Sequence, residues 1–173
     1  MKKINHITWS FALSLWIYYY LFNQNILQTI FFSFFVGILA WLPDVDLRII
    51  KLSQKLVLNS FFIFYPFHLL IKIIFKHRTI THTIWIPLSL FLINKYINVK
   101  SNFIFENIIM ILIIAILLHI FEDSLTISGV QPLFPIPIKI RLWNFNTSSQ
   151  IHFFILEVIG YLIIFGFIVM MFS

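Results

Sequence analysis

No cysteine occurs in the 173 residues. Disulfides and thiolate metal sites are therefore excluded, and any bound metal must be held by His, Asp, Glu or backbone. Charge is scarce too: 10% of residues are charged, where a soluble domain carries about 25%. Acids are the scarcest, with six Asp and Glu against twelve Lys and Arg, for a net charge of +6. The four glycines are scattered at 37, 129, 160 and 166, so there is no glycine-rich phosphate loop. A G-x-S-x-G elbow is also missing. Together with the lack of cysteine, this disfavours a hydrolase with a serine or cysteine nucleophile.

Apolar residues are abundant, at 61% of the chain, and mean hydropathy is +0.98. This is the composition of a polytopic membrane protein. The length allows one membrane-embedded domain over residues 1–173 and no second domain. Richness in Ile, Phe, Lys and Asn suggests an AT-rich prokaryotic genome. Lys2 and Lys3 precede an apolar run as in a signal peptide, but no small-residue cleavage site follows. Tyr18-Tyr19-Tyr20 reads as an interfacial aromatic belt, so the run is expected to be a retained first helix.

A spanning helix needs about 20 mostly apolar residues. Five runs approach this: 7–22, 26–42, 83–93 (short, carrying Pro87 and extended back through His77), 103–120 and 153–172. Between the second and third, residues 52–75 are bracketed by Lys51, Lys55, Lys72 and Lys76 and read as an interfacial or re-entrant segment. A sixth span is the alternative. The expected fold is all-α: a polytopic integral membrane helix bundle of about five transmembrane helices plus that segment.

Basic residues orient the bundle. With five spans, Lys2, Lys3, Arg48, Lys51, Lys55, Lys72, Lys76, Arg78, Lys139 and Arg141 share the side of the N-terminus, and only Lys95 and Lys100 lie opposite. The positive-inside rule makes the ten-residue side cytoplasmic, in a prokaryotic cell membrane. Basic residues beside anionic headgroups explain the net charge, and no nucleic acid is expected as a partner.

Polar clusters fall at the ends of the apolar runs, on that same side. They are His6; Pro43-Asp44-Val45-Asp46; His77-Arg78-Thr79-Ile80-Thr81-His82; His119 with Asp123; and 147–152. The first four hold four of the six histidines and all three aspartates. Ionisable residues at membrane depth are costly and mark function by default. Asp44 and Asp46, just past Pro43, could grip one metal or bridge two, or form a solvated helix end near Arg48. His77 and His82 could point into one pocket, with Thr79 or Thr81 capping the next span and Arg78 holding an anionic oxygen. An interfacial anchoring belt is the other reading. His119 and Asp123, four apart, share a helix face as co-ligands or as ligand and orienter. Glu122 lies on a different face, as an alternative base. His6 and His152 open spans and are ambiguous alone. Imidazole with carboxylate suits zinc, with manganese or iron as alternatives, better than calcium or magnesium.

The order of His6, Leu42-Pro43-Asp44-Val45-Asp46, His77-Arg78-Thr79-Ile80-Thr81-His82-Thr83, and His119-Ile120-Phe121-Glu122-Asp123-Ser124-Leu125-Thr126 with Gly129-Val130 and Leu133-Phe134-Pro135 resembles a known family. It is similar to the membrane-bound metal-dependent hydrolases, also described as LexA-binding, inner-membrane-associated hydrolases. The resemblance covers nearly the whole chain. It implies a helical membrane protein distantly related to zinc-dependent phospholipase C. It also implies His6, Asp44, Asp46, His77, His82, His119 and Asp123 as metal and active-site positions. One departure stands out: Thr147-Ser148-Ser149 is followed by Gln150-Ile151-His152, so His152 falls where such proteins commonly carry Glu and could replace it as a ligand.

The expectation is a divalent-metal hydrolase acting on a phosphoester or ester, with a membrane lipid as possible substrate, at the cytoplasmic face. Arg78 and Asp123 would act at the reaction. A non-catalytic scaffold for a protein partner is the main rival. A divalent-metal transporter is the lesser one, because the candidate ligands gather at one face rather than at the midplane.

Overall fold

The computed structural model describes residues 3–44, 49–55, 66, 69, 80–97, 103–146 and 149–172. Among these the protein is helical, with two isolated β-bridges, Thr126 to Phe145 and Val130 to Ile140, and no strand. Helix α1 covers Lys3–Trp16 and runs on as a π-helical turn, Ile17–Leu21. Helix α2 is Ile26–Leu39, α3 Trp85–Ile97, α4 Phe103–Ser124 and α5 Gln150–Phe172. Residues 49–55 are also helical.

Local chemistry sets several of these boundaries. Asn23 adopts a left-handed backbone (φ 49°) in the turn after α1. Asn25 then caps α2, its side chain accepting from the Gln28 N–H at 2.9 Å, which satisfies one of the orphan donors of a first turn. The apolar run ends in a 3-10 turn, Leu42–Asp44, carrying Pro43. In α3, Pro87 sits in the first turn, where a missing N–H costs nothing.

Of the five expected spans, three are long and apolar enough to cross a membrane among the described residues: Ile26–Asp44, Glu106–Ser124 and Gln150–Phe172. The other two differ for separate reasons. Helix α3 has 13 residues, about 20 Å at 1.5 Å per residue, short of a hydrocarbon core of about 30 Å. The run from Lys3 to Leu21 is long enough but carries Asn5, His6, Ser10 and Ser14, all buried against the rest of the bundle. Most of the expected segment 52–75 lies outside the described residues.

Helix α1 is the hub, packing on α2, α4 and α5, while α2 and α3 also pack on α4. Small residues allow the close approaches, as is usual where lipid supplies no drive to join helices. A Cβ on Gly37 would lie 3.0 Å from the Ile7 carbonyl oxygen, and one on Gly160 would lie 3.0 Å from Thr8 Cγ2. The Trp9 indole N–H donates to the Leu156 carbonyl at 2.6 Å, joining α1 to α5. The core unites Tyr18, Phe32, Val36, Ile111, Ile114, Ala115 and Leu118. The outer faces are apolar: Leu27, Phe31 and Phe34 on α2 and Phe154, Leu162 and Phe165 on α5 are each more than half exposed. A solvent of lipid tails, not water, suits such a surface.

The helices alternate in direction so that the start of α1, the end of α2, the approach to α3 and the end of α4 meet at one end of the bundle. The segment after α4 folds back there. Ser124 accepts from the Leu142 N–H, and the Phe145 N–H donates to the Leu125 carbonyl. Gly129 (φ 59°) turns this segment where any Cβ would stand 2.6 Å from the Ile140 carbonyl oxygen.

Candidate metal centre

Four side chains from four places in the chain converge at that end. Asp44 comes from the 3-10 turn after α2, His82 from the 3-10 turn Ile80–His82 before α3, and His119 and Asp123 from the last turns of α4. One ligand atom from each lies within 4.8 Å of all the others. His82, His119 and Asp123 are fully buried. Asp44 keeps 26% of its side chain exposed, so the group has one open edge.

The ligand atoms lie close together. His82 Nε2 and His119 Nε2 stand 3.0 Å apart. Asp44 Oδ1 is 3.7 Å from each of these nitrogens. Asp123 Oδ2 is 3.4 Å from His82 Nε2 and 3.7 Å from His119 Nε2. Four ligands at ~2.1 Å around one ion, in a tetrahedron, would stand about 3.4 Å apart. Five of the six ligand–ligand distances are close to this, and all six fall within 4.8 Å, so the donor set could hold a metal ion. The burial gives the physical reason to want one: carboxylates and imidazole lone pairs withdrawn from water need a compensating positive charge.

Second contacts hold these rings. His82 Nδ1 lies 2.8 Å from Thr81 Oγ1, and the His82 and His119 rings meet edge to face with centroids 4.9 Å apart. His6, from the first turns of α1, stacks on His119 at 4.1 Å with 24° between planes. The Thr126 hydroxyl donates to the Asp123 carbonyl at 2.8 Å, closing the end of α4.

Of the positions singled out in the sequence, the structure brings His6, Asp44, His82, His119 and Asp123 together. His152 stands outside the four-residue group: its Nδ1 accepts from the Asn146 N–H at 2.9 Å, which ties α5 to the loop before it. Asp46, His77 and Arg78 lie outside the described residues. Glu122, the alternative base on a different face of α4, stands outside the four-residue group. That face packs on α1: Glu122 is fully buried, with Oε2 2.6 Å from His6 Nδ1 and Oε1 accepting from the Ser10 hydroxyl at 2.7 Å. The signal was present in α1, where His6 and Ser10 are four apart and share a face.

A bundle of long apolar helices that gathers histidine and aspartate at one buried end defines a membrane protein with a candidate metal-binding centre. The chain belongs to the YdjM inner membrane protein family, whose model matches residues 1–173. No curated protein and no solved structure matches it.

Proposed function

We propose that this protein is a metal-dependent hydrolase of the inner membrane, acting on a phosphoester or ester at the cytoplasmic face. The observation that carries the reading is the convergence of Asp44, His82, His119 and Asp123 within 4.8 Å, with one edge open. Zinc suits two imidazoles and two carboxylates, with manganese or iron as alternatives. Such an ion supplies a Lewis acid for a phosphoryl or ester oxygen and acidifies a water bound beside it.

The chain's own residues then have distinct tasks. Asp44, the one partly exposed member, lines the entrance. Asp123 faces the imidazoles from the end of α4 and is placed to accept a proton or hold the ion. Arg78, by sequence close to His82, is the candidate partner for an anionic oxygen. A lipid headgroup suits the site because the ligands lie where membrane-crossing helices end, so a headgroup could reach them without leaving the bilayer. The orientation rests on the ten-to-two distribution of basic residues and on about five spans, with the N-terminus cytoplasmic. The gathering of ligands at one end of the helices argues against a transporter, which holds its cargo near the midplane.

The test is hydrolysis in proteoliposomes. Protein loaded with Zn2+ is incubated with phospholipids of several headgroups and with a chromogenic phosphodiester, beside a His82→Ala variant. Metal-dependent release of a phosphorylated or acyl product, lost in the variant, supports the reading. A metal-loaded protein inert on every phosphoester and ester would favour the scaffold that binds a partner protein.

A further inference from the structure

We infer that residues 135–144, an exposed segment after α4, lie in the headgroup layer of the membrane and hold an anionic phospholipid through Lys139 and Arg141. The inference rests on the membrane setting alone and needs neither a bound metal nor hydrolysis. The first observation is how the segment is fastened. The Ile84 N–H donates to the Pro132 carbonyl at 2.8 Å, and the Trp85 indole N–H donates to the Phe134 carbonyl at 2.9 Å. These bonds tie its start to the beginning of α3. Val130 and Ile140 exchange two backbone hydrogen bonds, and the N–H groups of Leu142 and Phe145 donate to Ser124 and Leu125 at the end of α4. The segment is thus fixed at the level where a membrane-crossing helix ends. Every residue from Pro135 to Asn144 is exposed.

The second observation is what the segment presents. Ile136, Ile138, Leu142 and Trp143 are between 49% and 62% exposed. Lys139 and Arg141 stand among them and are exposed as well. The two cations share a side. A Cβ on Gly129 would lie 3.3 Å from Lys139 Cε and 3.5 Å from Arg141 Cβ, so both stems pass over the same glycine. Among the described residues no acid pairs with either cation.

Three surroundings compete for such a segment. Water is a poor solvent for four large apolar side chains presented together. Hydrocarbon is excluded by the backbone: residues 135–144 form neither helix nor strand, and irregular backbone has no place against lipid tails. The headgroup layer meets both demands. It takes Trp143 and the isoleucines to the acyl boundary, where amphipathic rings and apolar side chains settle. It offers water and ester oxygens to the backbone, and it sets anionic phosphates against Lys139 and Arg141. The interleaved cations favour this layer over an apolar protein partner.

The experiment uses the absence of cysteine. Full-length protein carrying Ile138→Cys takes one fluorescent label and is reconstituted in phosphatidylcholine nanodiscs. Nitroxide lipids labelled near the headgroup are expected to quench it strongly, and chain-end nitroxides and aqueous iodide weakly. Phosphatidylglycerol with the nitroxide near its headgroup should reach half-quenching at about 10- to 30-fold lower mole fraction than the phosphatidylcholine counterpart, since each cation is worth about fivefold. Adding Lys139→Gln/Arg141→Gln should remove that preference and leave quenching by phosphatidylcholine unchanged. Trp143→Cys carries the label if Ile138→Cys fails to fold. Quenching by iodide alone would overturn the inference and leave the segment in water, open to a protein partner. Quenching by chain-end nitroxides, or a preference for phosphatidylglycerol that survives the double substitution, would overturn it as well.

Discussion

His82 and His152 show how little a residue's identity says without its neighbours. His82 lies in the turn before α3 and His152 in the first turn of α5. The first is buried, braced by Thr81, and turned towards His119, Asp44 and Asp123. The second accepts a backbone N–H from Asn146 and works as a local clasp. Replacing them should separate the two roles. His82→Ala removes a proposed ligand and is expected to weaken metal binding by more than about 100-fold, beyond what loss of an orienting partner costs. His152→Ala should leave metal affinity within experimental error. A titration of each variant with Zn2+ against a competing chromophoric chelator reads both. At this scale the sequence was informative about residue types and poor about directions. The i, i+4 spacing of His119 and Asp123 correctly put them on one face. The same spacing put Glu122 on a second face but could not show that α1 packs there and brings His6 and Ser10 to it.

At the scale of the element, α1 has two tasks that pull its composition in opposite directions. It brings His6 against His119, beside the candidate metal centre, and fits between α2, α4 and α5. Its inward polar residues lower its hydropathy, and its neighbours answer with glycine. Gly37 and Gly160 let the backbones approach to within contact of Ile7 and Thr8. Gly37→Leu should push α1 away from α2 at a cost of about 1–3 kcal/mol. Its signature would be a lower unfolding midpoint in detergent together with weaker metal binding, since His6 and the core move with α1. Gly166, whose Cβ would meet nothing nearer than Trp16 Cζ2 at 3.9 Å, is the matched control, and Gly166→Ala should leave both quantities unchanged. These close approaches were invisible in the sequence: four scattered glycines gave no pattern, and only the packing partner explains each one. The helical runs themselves were legible, because apolar stretches of 14 to 23 residues bounded by polar turns have few other solutions.

At the scale of the whole molecule, the alternating direction of the helices is what assembles a site from residues 44, 82, 119 and 123. A count of apolar runs anticipated that gathering. It overstated how plainly the first and third runs read as spans, since one is diluted by the buried polar residues Asn5, His6, Ser10 and Ser14 and the other is short. The absence of cysteine makes the membrane arrangement directly testable. In right-side-out spheroplasts, a membrane-impermeant maleimide should label Lys95→Cys and spare Lys51→Cys. The reverse pattern would contradict the proposed orientation.

The most direct measurement is the metal content of the purified protein in detergent, wild type beside an Asp44→Ala/His119→Ala double variant, after incubation with Zn2+, Mn2+ and Fe2+ and removal of free ions. At least one equivalent in the wild type, absent from a folded double variant, is the predicted result. No metal in either protein, with both folded, would contradict the account and leave the converging histidines and aspartates as a structural polar cluster.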